Sequence, residues 1–232
     1  MGLYLSYLAF FGYNPFGIGV FIPELFDLEK AQSIGIKQSL SIPNILKRNL
    51  LILYIHGFRT TNNSYKSQLL KAHYGDKLIA SNHSFVPQQA IKDLEKIIEE
   101  QNITGIISSS LGGYYATYLS QKYNLKTVLI NPSVKPYATT KKYLGENTKD
   151  NGEPFVWKAK HLKMLEAFKV EKLNLNNFFL FLQTGDEVLD YRVAQSFYNG
   201  AKLVIEENGN HRFKGFERFF DEVLLFLNSK NS

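Results

Sequence analysis

The sequence predicts an α/β protein: a mostly parallel central sheet with helices packed on both of its faces. Two observations carry this. From residue 50 onward, short apolar runs of strand length recur, and stretches with helical spacing of apolar residues fall between them. Several of these runs are apolar throughout and do not alternate, as expected of strands covered on both sides.

Taken in order, Leu50–His56 is the first run, followed by a helical pattern over Tyr65–His73 and a short strand at Lys77–Ala80. Pro87–Gln101 reads as a helix, with proline in its first turn and Ile91, Leu94, Ile97 and Ile98 on one face. Gly105–Ser109 is a second buried strand running into a helix over Ser110–Tyr123, and Lys126–Asn131 is a third. Phe178–Thr184 is a fourth, followed by a helix near Tyr191–Tyr198. Lys202–Glu206 is a fifth, and Phe213–Asn228 reads as one closing helix. Between Pro132 and Asn177 lies a long insert, helical around Ala159–Val170, in a position to overhang a site at the strand ends.

Residues 1–49 have a different texture, and the chain divides there into an N-terminal apolar segment and a domain over 50–232. No charge precedes Glu24. Leu3–Ile22 has about the length of a membrane span, but Gly12, Asn14-Pro15, Gly17 and Gly19 interrupt it with turn signals. No Lys or Arg precedes it, which makes it a poor signal peptide. The expectation is a two-part element packed on the domain, with peripheral membrane contact as the alternative. Met1-Gly2 followed by Ser6 matches the short N-myristoylation pattern.

Composition narrows the chemistry. Hydrophobic residues at 44% and charged residues at 21% of 232 place the chain among globular proteins, with enough length for one full core. With no cysteine, disulfides, a thiolate nucleophile and Cys-based metal sites are excluded, and a cytoplasmic setting fits. The 27 Lys and Arg against 21 Asp and Glu are scattered, with no basic stripe interleaved with stacking aromatics, so nucleic acid is not the expected partner.

The informative stretch is Ser108-Ser109-Ser110-Leu111-Gly112, between a strand and a helix. A nucleophilic serine on a sharp strand-to-helix turn needs small residues two before and two after it, because strand and helix close together there. Ser110 has Ser108 and Gly112 at those positions. Ser109 would have Leu111, which is too large. The geometry therefore selects Ser110, while the plainer reading is a serine-rich helix cap. In this architecture the acid follows a late strand and the histidine follows the last one, which nominates Asp186 and His211. Asp190 is expected to cap the next helix and Glu187 to face solvent. His73 and His83 have no supporting motif, His56 belongs to another element, and His161 sits in a Lys-rich helix whose default is a solvated face. The loop His56-Gly57-Phe58 after the first strand nominates the backbone N–H groups of Phe58 and Leu111 as an oxyanion hole.

The chain resembles the YqiA-type bacterial esterases of the α/β-hydrolase superfamily, from about Leu50 to Leu227. The resemblance is carried by LYIHGF (Leu53–Phe58), SSLGGYYATYLSQ (Ser109–Gln121), INPSVKPY (Ile130–Tyr137), YLGEN (Tyr143–Asn147), QTGDEVLDYR (Gln183–Arg192) and GNHRFKGFE (Gly209–Glu217). It implies the α/β-hydrolase fold, a cytoplasmic hydrolase of carboxylic esters or acyl thioesters, and a triad on Ser110, Asp186 and His211. Ser108 departs from the usual elbow glycine, and residues 1–49 lie outside the resemblance. The expected mechanism is two-step acyl transfer to water without metal or organic cofactor. An acyltransferase on the same triad and a silent binding protein of the same fold are the alternatives. Tyr137, Tyr143, Leu144, Phe155 and Trp157 in the insert suggest an acyl pocket, with plain core packing as the alternative reading of the same residues.

Overall fold

A computed structural model describes residues 50–229. The N-terminal segment, with the membrane and myristoylation expectations attached to it, lies outside the described residues.

The first three elements are β1 (Ile52–Ile55), α1 (Tyr65–Tyr74) and β2 (Leu78–Ala80). The chain returns through α2 (Pro87–Gln101) to β3 (Gly105–Ser110), and α3 (Leu111–Tyr123) leads to β4 (Lys126–Pro132). The insert then forms a short helix, α4 (Pro136–Thr139), a hairpin of β5 (Gly145–Thr148) and β6 (Pro154–Trp157), and α5 (Ala159–Glu166). The closing elements are β7 (Phe178–Gln183), α6 (Tyr191–Phe197), β8 (Lys202–Glu206) and α7 (Phe220–Asn228).

Six strands form one sheet in the order β2-β1-β3-β4-β7-β8, and every pairing is parallel. Alternate side chains of each strand go to opposite faces. Leu53, Ile55, Ile106, Leu129, Leu180 and Leu182 pack beneath α2, α3, α5 and α6. Ile52, Tyr54, Ile107, Val128, Phe179 and Phe181 pack beneath α1 and α7. Both faces are therefore dry, which is why the strand sequences read as continuous apolar runs.

Local signals explain the helix ends. Ser64 caps α1 and Gly75, at φ 57°, ends it. Pro87 opens α2, which buries Ala90, Ile91, Leu94 and Ile98 and stops at Asn102 in the left-handed region. The chain runs outward from β1 to β2 and then crosses back to β3 on the other side of β1. This reversal opens a crevice at the carboxyl ends of β1 and β3, where ligand sites of open α/β sheets form.

Two expectations need correction, and one element is new. The closing helix is not continuous from Phe213: Phe213 (φ 58°) and Gly215 (φ 79°) take left-handed conformations, a 3₁₀ turn covers Phe216–Phe219, and α7 starts only at Phe220. The insert helix ends at Glu166, after which Phe168 packs edge-on against Tyr118 at 5.1 Å. The β5–β6 hairpin was not anticipated, although Asp150-Asn151-Gly152 at its tip is a turn signal, with Gly152 at φ 86°.

Candidate active site

Ser110 ends β3, and Leu111 begins α3. The Ser110 backbone sits at φ 53° and ψ −125°, a region that L-residues occupy only under constraint. The constraint comes from packing of α3 on the ends of β1 and β4. A Cβ on Gly112 would lie 2.3 Å from the carbonyl oxygen of Ile55, and one on Gly113 would lie 2.6 Å from Pro132 Cβ. Ser108 fits where a glycine is usual: it is fully buried, and its hydroxyl donates to the Val128 carbonyl at 3.3 Å. Ser109 turns the other way, with its hydroxyl 3.0 Å from that of Tyr54.

The structure brings Ser110, His211 and Asp186 together. Ser110 Oγ donates to His211 Nε2 at 3.0 Å, and His211 Nδ1 donates to Asp186 Oδ2 at 2.8 Å and Oδ1 at 2.9 Å. Asp186 is acceptor-only when ionised, so the facing Nδ1 carries the proton. The Asp186 side chain is 2% exposed, and its Oδ1 also accepts from the N–H groups of Val188 and Leu189 at 2.8 and 2.9 Å. In this geometry an imidazole can take a hydroxyl proton at Nε2 while the carboxylate holds its tautomer and stabilises the imidazolium.

Phe58 and Leu111 line the same pocket of about 410 Å³ as Ser110 and His211. Leu111 is the first residue of a 13-residue helix, where N–H groups lack intrahelical partners and the helix dipole favours negative charge. Gly57 lets the opposite loop come close, since a Cβ there would lie 3.0 Å from Ser110 Cβ. The hairpin braces that loop. Phe58 packs on Trp157 at 5.0 Å, Tyr143 at 5.5 Å and Phe155 at 5.7 Å. Arg59, at φ 62°, donates from Nε to the Thr148 carbonyl at 3.2 Å and accepts at its own carbonyl from the Asp150 N–H at 2.9 Å.

The pocket corrects the expected acyl site. Of the five residues expected there, only Tyr143 lines the Ser110 pocket. Trp157 and Phe155 are buried beneath Phe58, Leu144 is exposed, and Tyr137 lines a separate small cavity. Thr139, Thr140, Thr148, Lys149 and Asp150 of the insert do reach the pocket, so the insert overhangs the site as its position suggested.

Among the neighbours, Asp190 caps α6, accepting from the Arg192 N–H at 3.0 Å. Glu187 is exposed as expected, yet its Oε2 accepts from the His211 N–H at 3.0 Å. Backbone N–H groups, its own and that of His211, hold its carboxyl below the usual range. His161 contradicts its expected solvated face. It is buried against Trp157 and Phe85, its Nδ1 accepts from the Lys158 N–H at 3.2 Å, and burial lowers its pKa, helped by Lys160 and Lys158. The reason is its place in the first turn of α5, on the inward face. His56 and His83 stack at 4.0 Å behind the Phe58 loop. Burial pushes His56 down to about 4, and burial with the nearby His56 and Lys149 pushes His83 well below the ordinary range.

Sequence reasoning passed over Asn131, Gln183 and Lys66. Asn131 donates from Nδ2 to the carbonyls of Asn210 and His211, both at 3.1 Å. Gln183 accepts at Oε1 from the N–H groups of Asn210 at 3.0 Å and Lys214 at 2.9 Å. Lys66 donates to the Arg212 carbonyl, and burial lowers its ammonium to about 8. Asn131-Pro132 and the polar end of an apolar strand were visible, but a lone sequence does not separate such residues from surface polar groups. Among the described residues no group of three or more His, Asp or Glu is placed to hold a metal ion, and no helix is long and apolar enough to cross a membrane.

A parallel six-stranded sheet with helices on both faces, a constrained serine at the end of its third strand, and a histidine loop after its last strand define the α/β-hydrolase fold. Within that class the chain belongs to UPF0227, described as an uncharacterised protein family and of YcfP/YqiA-like type, whose profile matches residues 51–228. A UPF0227 protein of Vibrio vulnificus is 24% identical over 190 residues, covering 76% of this chain and 98% of its own. The UPF0227 protein YcfP of Salmonella paratyphi A is 26% identical over 188 residues with the same coverage. In structure, the chain is similar to Est1E from Butyrivibrio proteoclasticus with ferulic acid bound, at TM-score 0.57 and 12% identity over 77% of this chain and 88% of that one. It is also similar to mouse alpha/beta hydrolase domain-containing protein 10, at TM-score 0.53 and 16% identity over 76% and 86% of the two chains.

Proposed function

We propose that the protein is a serine hydrolase of carboxylic esters, acyl thioesters such as acyl-CoA included. Ser110 is the nucleophile, His211 the general base and Asp186 the group that orients it. The observation that supports this reading is the continuous hydrogen-bonded chain from Ser110 Oγ through His211 to Asp186, opening on a pocket of about 410 Å³.

In the first step Ser110 Oγ bonds to the carbonyl carbon as its proton passes to His211 Nε2. The oxygen that becomes negative is held by the N–H groups of Phe58 and Leu111. The tetrahedral adduct collapses, the bond to the alcohol or thiol breaks, and His211 returns the proton to that leaving group. Water then repeats the sequence on the acyl-serine, releasing the acid and restoring Ser110. The chemistry requires no metal or organic cofactor.

The test is hydrolysis of p-nitrophenyl esters of graded acyl length and an acyl-CoA panel, with Ser110→Ala alongside. The wild type is expected to turn over and the variant to lose roughly 10⁴- to 10⁶-fold in kcat. Equal activity in the two proteins would remove Ser110 from its role, and inactivity of both on every substrate would remove the hydrolase reading.

A further inference from the structure

His211 sits in a loop with no regular secondary structure, yet its backbone is fully accounted for. From Asn210 to Arg212, all six N–H and C=O groups are bonded by side chains. Asn210 N–H goes to Gln183 Oε1 and its carbonyl to Asn131 Nδ2. His211 N–H goes to Glu187 Oε2 and its carbonyl to Asn131 Nδ2. Arg212 N–H goes to Asn210 Oδ1 and its carbonyl to Lys66 Nζ. Only the Asn210 carbonyl also takes a backbone partner, the Phe213 N–H at 2.9 Å. So many side-chain bonds to consecutive backbone groups are unusual, because sheets and helices ordinarily satisfy them.

Two of these side chains differ from the rest. Asn131 and Gln183 are each 2% exposed, and both belong to the sheet itself. Asn131 sits at an irregularity in β4: Ser109 pairs with Ile130 and Ser110 with Pro132, so Asn131 is the extra residue opposite the Ser109–Ser110 step. Such a bulge re-aims a side chain, here with Asn131 at φ 41°. Its Oδ1 accepts from the Gln183 N–H at 3.0 Å, which joins the two residues. Gln183 in turn donates from Nε2 to Glu206 Oε2 and to the Lys214 carbonyl, both at 2.9 Å. Each amide is used at both its oxygen and its nitrogen, so neither can flip without leaving a buried group unpaired.

We infer that Asn131 and Gln183 are positioning residues for His211, transferring the register of β4 and β7 to the imidazole. The bulge links the two ends of the reacting pair. The same irregularity that sets Asn131 beneath the histidine loop lies across from the serine, so Ser110 and His211 are referenced to one point of the sheet. The inference rests on the proposed roles of Ser110 and His211.

The test uses the full chain carrying Asn131→Asp, which keeps the side chain's size but turns acceptor oxygens toward two carbonyls, and Gln183→Glu. Active sites are counted with a fluorophosphonate so that unfolded protein drops out. Per active site, kcat is expected to fall about 10- to 100-fold with KM changed less than about twofold, because orientation and not binding is lost. The acid limb of the kcat–pH profile shifts as well, and backbone amides of residues 210–214 exchange faster while those of β4 and β7 stay protected. If Asn131→Asp does not fold, Asn131→Ser, neutral and too short to span the two carbonyls, repeats the test. Unchanged kcat, pH profile and exchange per active site would overturn the proposal. A wild type that neither hydrolyses esters nor takes up the label overturns the hydrolase reading instead. Loop exchange then still decides: faster in the variants supports the clamp, unchanged rejects it.

Discussion

Ser110 can hold φ 53° only because its neighbours leave space for the turn, and the requirement is unequal on its two sides. Gly112 faces the carbonyls of Ile55 and His56 at 2.3 and 2.6 Å from a would-be Cβ. These are backbone atoms of a buried strand end and cannot move cheaply. Gly112→Ala is therefore expected to displace α3 from β1, costing about 1–3 kcal/mol as an overpacked site does. It should also lower kcat/KM by about 100-fold, since a shift of about 1 Å in the serine is enough for that. Ser108 lies on the permissive side. Its hydroxyl already bonds to Val128, so Ser108→Gly removes a hydrogen bond and adds chain freedom without relieving a clash. Activity on a p-nitrophenyl ester should stay within a few-fold while the thermal midpoint falls. Should Ser108→Gly raise kcat strongly, the serine would be shown to strain the turn.

The β5–β6 hairpin ties the wall of the Ser110 pocket to the stability of the Phe58 loop. Trp157 is 1% exposed beneath Phe58, and its indole N–H has no hydrogen-bond partner. Trp157→Ala should cost about 3–5 kcal/mol, as other large-to-small core changes do. A chain of this size then melts roughly 10 °C lower. Ester hydrolysis should drop with it, because the backbone of Phe58 loses its support. Trp157→Phe should cost far less, since it keeps a ring under Phe58 and removes an unpaired N–H. Calorimetry beside kcat on both variants checks this, and equal melting temperatures would sink it. This element also marks how far the sequence could be read. The core strands were legible because burial on both faces makes them continuous apolar runs. Ser110, Asp186 and His211 were legible because turn sterics and chain order restrict where such residues fall. Gly145–Thr148 was not, since its strand character comes from pairing with Pro154–Trp157 and not from its own residues. His161 was misread for the same kind of reason: a Lys-rich surface conceals a position of α5 that turns inward. Asn131 and Gln183 escaped notice because their meaning arises only when β4 and β7 meet the His211 loop.

Over the whole molecule, acid should act through a pair of histidines outside the hydrogen-bonded chain of Ser110. His56 and His83 stack with their rings buried against the back of the Phe58 loop. Thr60 Oγ1 at 3.2 Å and the Gly57 carbonyl at 3.1 Å face His56 Nδ1, and Ser81 Oγ at 2.9 Å faces His83 Nδ1. Burial is the main cause of the fall of His56 to about 4. The Gly57 carbonyl and Asp150 oppose it and Lys149 reinforces it. An unfolded chain binds a proton on this histidine below about 6.5, while the folded chain does not until about 4. Between those values the unfolded state holds more protons, so folding stability falls as pH falls. From about pH 6.5 to about pH 5 the loss from His56 alone is about 1.5 kcal/mol. His83 shifts in the same direction and adds to it. The urea midpoint should therefore be clearly lower at pH 5 than at pH 7, and His83→Gln should narrow that gap by removing one of the two groups. Identical midpoints at the two pH values, or an unchanged gap in His83→Gln, would show that the pair does not carry the acid sensitivity. Because the pair lies directly behind Gly57 and Phe58, its protonation should loosen the Phe58 loop before the sheet itself gives way. Ester hydrolysis at pH 5 should then decline at urea concentrations that leave the far-ultraviolet circular dichroism of the sheet and helices intact.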